Sequence, residues 1–123
     1  MSSRKKVLIV DDFGDTGKIL VAMLDHLHVP TESVDNPGDA FAKVAKHQYQ
    51  LVIADSRMPK LDGVSLLKRI RERWPETKVA VMSTFNSGAT QKLVAADDID
   101  YYLPKPINME HLEKITRELA LTR

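Results

Sequence analysis

Strand-like runs and helical segments alternate along this chain five times, and that alternation leaves few architectures open. KVLIV at 6–10 is short and continuously apolar, as a strand covered on both faces must be. QLVIA (50–54) and KVAVM (78–82) read the same way, TESVD (31–35) more weakly, and DYYL (100–103) is the last of the set. Between them apolar residues recur at helical spacing. The first set is Ile19, Leu20, Met23, Leu24 and Leu27, the second Ala40, Phe41, Val44 and Ala45. Val64, Leu67, Ile70 and Trp74 mark a third helix, Ala89, Leu93 and Ala96 a weaker fourth, and Leu112, Ile115 and Leu119 the last. Pro30 and Pro75 stop the first and third helices, Asn36-Pro37-Gly38-Asp39 starts the second, and Asn108 caps the fifth.

Parallel strands need crossover connections, and helices on both faces of the sheet supply them. The expectation is an α/β fold: a flavodoxin-like, doubly wound, five-stranded parallel sheet of order 2-1-3-4-5 with five helices. Residues 1–123 fit one domain. In such a sheet the ligand crevice lies beyond the carboxyl ends of the strands, where the order reverses. Composition narrows the function. A net charge of +1 gives no broad basic field for nucleic acid. KRIRER (68–73), broken by Glu72, reads as a solvated helix face. The chain has no cysteine for disulfides or thiolate metal sites. No apolar stretch approaches the roughly 20 residues that span a bilayer, and MSSRKK is followed by too short an apolar run for a signal peptide. A cytoplasmic protein without membrane contact is expected.

The polar residues gather at the strand ends. The first strand ends in Asp11-Asp12, the third in Asp55, and the fourth in Ser83-Thr84; the fifth leads into Lys105-Pro106. Three carboxylates in one place repel unless a cation joins them or a pKa rises. The donors are hard oxygens, which favours Mg²⁺. Carboxylate, Mg²⁺, lysine and hydroxyl are the components of phosphoryl transfer to an aspartate. Each motif taken alone has a plainer reading. Asp11-Asp12 could be a turn capping the first helix, and Lys105 a surface lysine in a proline-stiffened loop. His26, His28, His47 and His111 are scattered, and Trp74 is an anchor at a helix end.

Taken in order, VLIVDD (7–12), DSRMPKLDG (55–63), Ser83 and DYYLPKP (100–106) resemble the response-regulator receiver domain of two-component signalling, of the chemotaxis-regulator type. The resemblance covers essentially the whole chain. It implies Asp55 as phosphoacceptor, with Ser83 and Lys105 completing the catalytic set. It implies Mg²⁺ on Asp11, Asp12, Asp55 and the backbone carbonyl of Arg57, with Asp11 acting mainly through water. Ser83 and Tyr102 would be the switch pair, and the face of the fourth helix, fifth strand and fifth helix would report the change. Arg57, Thr84 and Phe85 would gate water from the phosphoryl group, giving slow self-dephosphorylation. A cis Lys105-Pro106 bond is also implied. The implied partners are a sensor histidine kinase or phosphotransfer protein and a downstream effector, with phosphorylation-dependent dimerisation as a further implication. The domain would catalyse only its own phosphorylation and dephosphorylation and would not be an enzyme otherwise. The chain departs from the family at Phe13-Gly14, Thr84, Asp98-Ile99 and Pro104. Two other functions compete: a Mg²⁺-dependent phosphohydrolase of a diffusible substrate, which lacks a second acid beside Asp55, and an interaction module that needs no phosphorylation.

Overall fold

A computed structural model describes residues 7–11, 14–47, 49–56, 63–83 and 99–120. Five strands, β1 (Val7–Val10), β2 (Thr31–Val34), β3 (Leu51–Asp55), β4 (Lys78–Ser83) and β5 (Tyr101–Pro104), form one sheet of order β2-β1-β3-β4-β5. Every neighbouring pair is parallel. The described helices are α1 (Gly14–His26), α2 (Pro37–Lys46), α3 (Gly63–Arg73) and α4 (Met109–Glu118). The helix expected around Ala89, Leu93 and Ala96 lies outside the described residues, so α4 is the last of the five expected.

The strand period sorts the core into two halves. Val7, Ile9, Leu51, Ile53, Ala80, Met82 and Leu103 meet Leu20 and Leu24 of α1 and Leu112 and Ile115 of α4. Leu8, Val10, Val52, Ala54, Val79 and Val81 point the other way, onto Ala40 and Val44 of α2 and Leu66, Leu67 and Ile70 of α3. Both faces are therefore covered, which is why β1 and β3 read as unbroken apolar runs. Each fully buried Leu or Ile here contributes about 1.5–3 kcal/mol by leaving water.

Several boundaries differ from the expected ones by a residue. β3 and β4 run far enough that Asp55 and Ser83 are the last residues of their strands. The first helix stops before Pro30. The His28 amide donates to the Asp25 carbonyl (3.0 Å) and the Val29 amide to the Leu24 carbonyl (3.0 Å), with His28 at φ 60°. This is a Schellman end, and its apolar contact joins Leu24 and Val29 in the core. Asn36 and Asn108 cap α2 and α4 as expected, their side chains accepting from the Asp39 amide and from the Glu110 and His111 amides.

Two polar clasps fix the sheet's edges. On the β2 side, buried Tyr49 donates to Glu32, which also pairs with Lys43 at 3.3 Å. Burial first, and then the Glu32 carboxylate, push the Tyr49 phenol above the ordinary tyrosine range. On the β5 side, the Asp100 carboxylate accepts from the Val79 amide (2.9 Å) and pairs with Arg71 of α3 (3.2 Å). Beside it Ile99 is fully buried and packs into the core.

Candidate functional site

The residues singled out from sequence lie at the carboxyl end of the sheet. Val10 of β1 is in register with Ala54 of β3, so Asp11 and Asp55 follow on adjacent strands. The Asp11 amide donates to the Val34 carbonyl (3.1 Å), continuing the ladder to β2. Its side chain is buried, and Oδ2 accepts from the Gly17 amide of α1 at 2.7 Å. The helix N-terminus favours that negative charge.

Asp55 is held from two sides. The Ser56 amide continues the ladder to the Met82 carbonyl (2.8 Å), and the Gly63 amide donates to the Ser56 carbonyl (3.3 Å). The start of α3 therefore closes back onto the end of β3. A Cβ on Gly63 would fall 1.6 Å from the Asp55 carbonyl oxygen, so only glycine permits the approach. In the sequence Gly63 is simply the last residue of the DSRMPKLDG motif, with nothing to mark this role.

Lys105 reaches the same point from β5. Its amide donates to the Ser83 carbonyl at 2.8 Å, which ties the turn after β5 to the end of β4. Its ammonium forms a close ion pair with Asp55 Oδ2. The two side chains are only 18% and 13% exposed, so the pairing offsets much of the cost of holding both charges away from water. The Lys105-Pro106 bond is cis, as expected. Ser83 is buried and registers with Pro104, while half-buried Tyr102 registers with Val81 and packs on the α2–α3 side of the core.

Asp55 and Lys105 are thus in contact, Asp11 stands beside them on β1, and Ser83 joins through its backbone. Asp12, Arg57, Thr84 and Phe85 lie outside the described residues. Among the described residues no three His, Asp or Glu side chains form a metal-holding group. The two carboxylates that are described still suit Mg²⁺, which takes one or two carboxylates and fills its other positions with water or phosphate oxygen. A groove of about 590 Å³ opens between α1 and β2, lined by Asp11, Gly17, Lys18, Ser33, Asp35 and Asp39 among others.

The geometry defines a parallel α/β sheet with an aspartate–lysine pair at its carboxyl end, and comparison with known proteins gives the family. The profile of the response regulator receiver domain matches residues 7–117, and the chain belongs to that family. It is similar to the response regulator protein PilR of Pseudomonas aeruginosa, 33% identical over 121 residues, covering 98% of this chain and 26% of the relative. It is also similar to the transcriptional regulatory protein ZraR of Salmonella typhimurium, 32% identical over 119 residues, covering 95% and 27%. The chain thus spans about a quarter of the length of these relatives. Among solved structures, the chemotaxis protein CheY4 of Vibrio cholerae superposes with a TM-score of 0.83 at 25% identity, covering 95% of this chain and 99% of that one. A receiver domain protein of Methanospirillum hungatei gives 0.83 at 26% identity, covering 96% and 95%.

Proposed function

We propose that the chain is a phosphorylatable receiver switch in which Asp55 accepts a phosphoryl group from a phosphohistidine on a sensor histidine kinase or phosphotransfer protein. The observation that carries this reading is the Asp55–Lys105 ion pair at the carboxyl ends of β3 and β5. A carboxylate oxygen of Asp55 attacks phosphorus as the P–N bond of the donor breaks, and the imidazole leaves with the bonding electrons and takes up a proton. The Lys105 ammonium then moves its partnership from the carboxylate to a phosphoryl oxygen, a charge-assisted hydrogen bond stronger than a neutral one. Asp11, Asp12, Asp55 and the Arg57 carbonyl are the proposed Mg²⁺ ligands, the first acting through water. When bound, the ion neutralises charge developing on the phosphoryl oxygens.

Ser83 hydrogen-bonds the phosphoryl group in this reading, and Tyr102 turns inward in response. Both are on elements already tied to Lys105, since Ser83 ends β4 and accepts from the Lys105 amide. The altered surface is that of β5, α4 and the helix expected before β5 from the sequence, where an effector or a second receiver docks. Arg57, Thr84 and Phe85 flank the phosphoryl group and slow its hydrolysis. The chain's 123 residues make one receiver module that acts only on its own aspartate.

The test is phosphorylation of the purified chain by acetyl phosphate, followed by mass spectrometry. One phosphoryl adduct is expected with Mg²⁺, none without it, and none in Asp55→Asn. An adduct that persists in Asp55→Asn sinks the assignment.

A further inference from the structure

Gly17 is the fourth residue of α1, inside the helix, where glycine is among the least favourable choices and alanine the best. Its backbone is not in the left-handed region, so the turn geometry does not call for glycine. What adjoins it is the Asp11 side chain. A Cβ on Gly17 would stand 3.1 Å from Asp11 Cβ, 3.1 Å from Oδ2 and 3.5 Å from Cγ. The first two are inside the ordinary separation of about 3.5–4.0 Å for such atoms. The Gly17 amide meanwhile donates to that same Oδ2 at 2.7 Å. The helix backbone and the whole carboxymethyl group of Asp11 are therefore pressed together, and only the absent methyl leaves room for it.

We propose that Gly17 is a positioning residue for Asp11: the bare helix backbone at this position receives one carboxylate oxygen and so fixes the orientation of the acidic group at the end of β1. This rests on the reading of Asp11 as part of the Mg²⁺-dependent phosphoacceptor site. One oxygen is committed to a rigid helix, so the plane of the carboxylate is set before any cation arrives. Groups that orient a ligand in this way typically change metal affinity about 10- to 100-fold when removed. Gly17→Ala moves the carboxylate by a few tenths of an ångström and strains or breaks its bond to the helix.

Two measurements decide it. In the first, calorimetric titration of Mg²⁺ into the purified chain, Gly17→Ala weakens binding by about tenfold relative to wild type. In the second, thermal melts are recorded without Mg²⁺ for wild type, Gly17→Ala, Asp11→Gly and the double variant. Helix propensity alone raises Tm by roughly 3 °C or more on replacing glycine with alanine in a domain of this size. That rise is expected in the Asp11→Gly background, where neither the Cβ nor the carboxylate of residue 11 stands in the way, and is absent in the wild-type background. An equal rise in both backgrounds, or an unchanged Mg²⁺ affinity, overturns the proposal. A wild-type chain that takes up no Mg²⁺ overturns the functional reading and the role in metal binding together, while the melts still decide whether Asp11 and Gly17 are coupled.

Discussion

Asp55 and Lys105 stand fifty residues apart in the chain and meet across the end of β4. The lysine amide is fastened to Ser83 at that strand's last position, so the ammonium and the carboxylate approach from strands on either side of it. The pair joins three strand ends into one charged unit. Burial makes each charge costly alone, and together they are tolerable.

Lys105→Ala is expected to retain Mg²⁺ binding, because an ammonium is no metal ligand, while losing phosphoryl uptake from acetyl phosphate. It leaves the Asp55 carboxylate near Asp11 without its cation, so metal-free stability falls by about 1–3 kcal/mol. Calorimetry, mass spectrometry and urea melts check the three parts. Loss of metal binding in this variant would mean that Lys105 organises the acidic site and does not serve the phosphoryl group.

Gly63→Ala is expected to be far more damaging than an ordinary glycine replacement at the start of a helix. The new methyl would overlap the Asp55 carbonyl oxygen, a backbone atom that no side-chain rotation can move aside. Either α3 retreats from β3 or the end of β3 shifts. A loss of at least about 3 kcal/mol in urea unfolding is expected, at the upper end for overpacking. A loss below 1 kcal/mol, with phosphorylation intact, would show that the contact is soft.

These two glycines mark the limit of what the sequence disclosed. The strands were readable because burial on both faces leaves unbroken apolar runs such as VLIV and LVIA, and the strand order followed from repeated crossovers. Asp11, Asp55, Ser83 and Lys105 were readable because charge and hydroxyl groups at the ends of such runs have no place in a core. Gly17 and Gly63 were not, since a close backbone approach leaves no residue pattern beyond the glycine itself. The end of α1 was hidden for a related reason: His28 takes a left-handed conformation usually given to glycine, so Pro30 was the visible stop signal. Asp100 read as the first residue of a strand, whereas its carboxylate binds a β4 amide through a contact distant in sequence.

That contact separates two substitutions that look alike on paper. Asp100→Ala removes the acceptor of the amide of fully buried Val79 and an ion-pair partner of Arg71 together, and about 1–3 kcal/mol of stability is expected to go with it. Arg71→Ala breaks the ion pair with Asp100 and leaves the amide bond in place, on an arginine still partly exposed, and costs about 1 kcal/mol or less. Paired denaturant melts compare them. Equal losses would assign the stabilisation to the ion pair and none to the amide bond.

The Tyr49–Glu32 contact predicts a pH dependence with a definite sign. Burial and the neighbouring carboxylate raise the phenol's pKa in the folded chain above its unfolded value of about 10. The folded state then holds a proton that the unfolded state has given up once the pH passes that value. Stability from this group is complete below pH 10 or so and drains away above it, by up to about 1.4 kcal/mol per pH unit while the folded phenol stays protonated. Tyr49→Phe lacks the titrating group. At neutral pH it is expected to be less stable than wild type by about 1 kcal/mol, through the lost hydrogen bond to Glu32. Between pH 10 and 12 the deficit narrows or reverses, because only wild type carries the alkaline loss from Tyr49. Tyr101, whose pKa is raised by burial and by Glu118, contributes a similar loss to both proteins and cancels in the difference. Urea melts of the two proteins at neutral pH and at intervals above pH 9 read that difference directly. A constant deficit across the range would show that the unfolded chain protects the phenol equally, and that the clasp between β2 and Tyr49 is not what raises it.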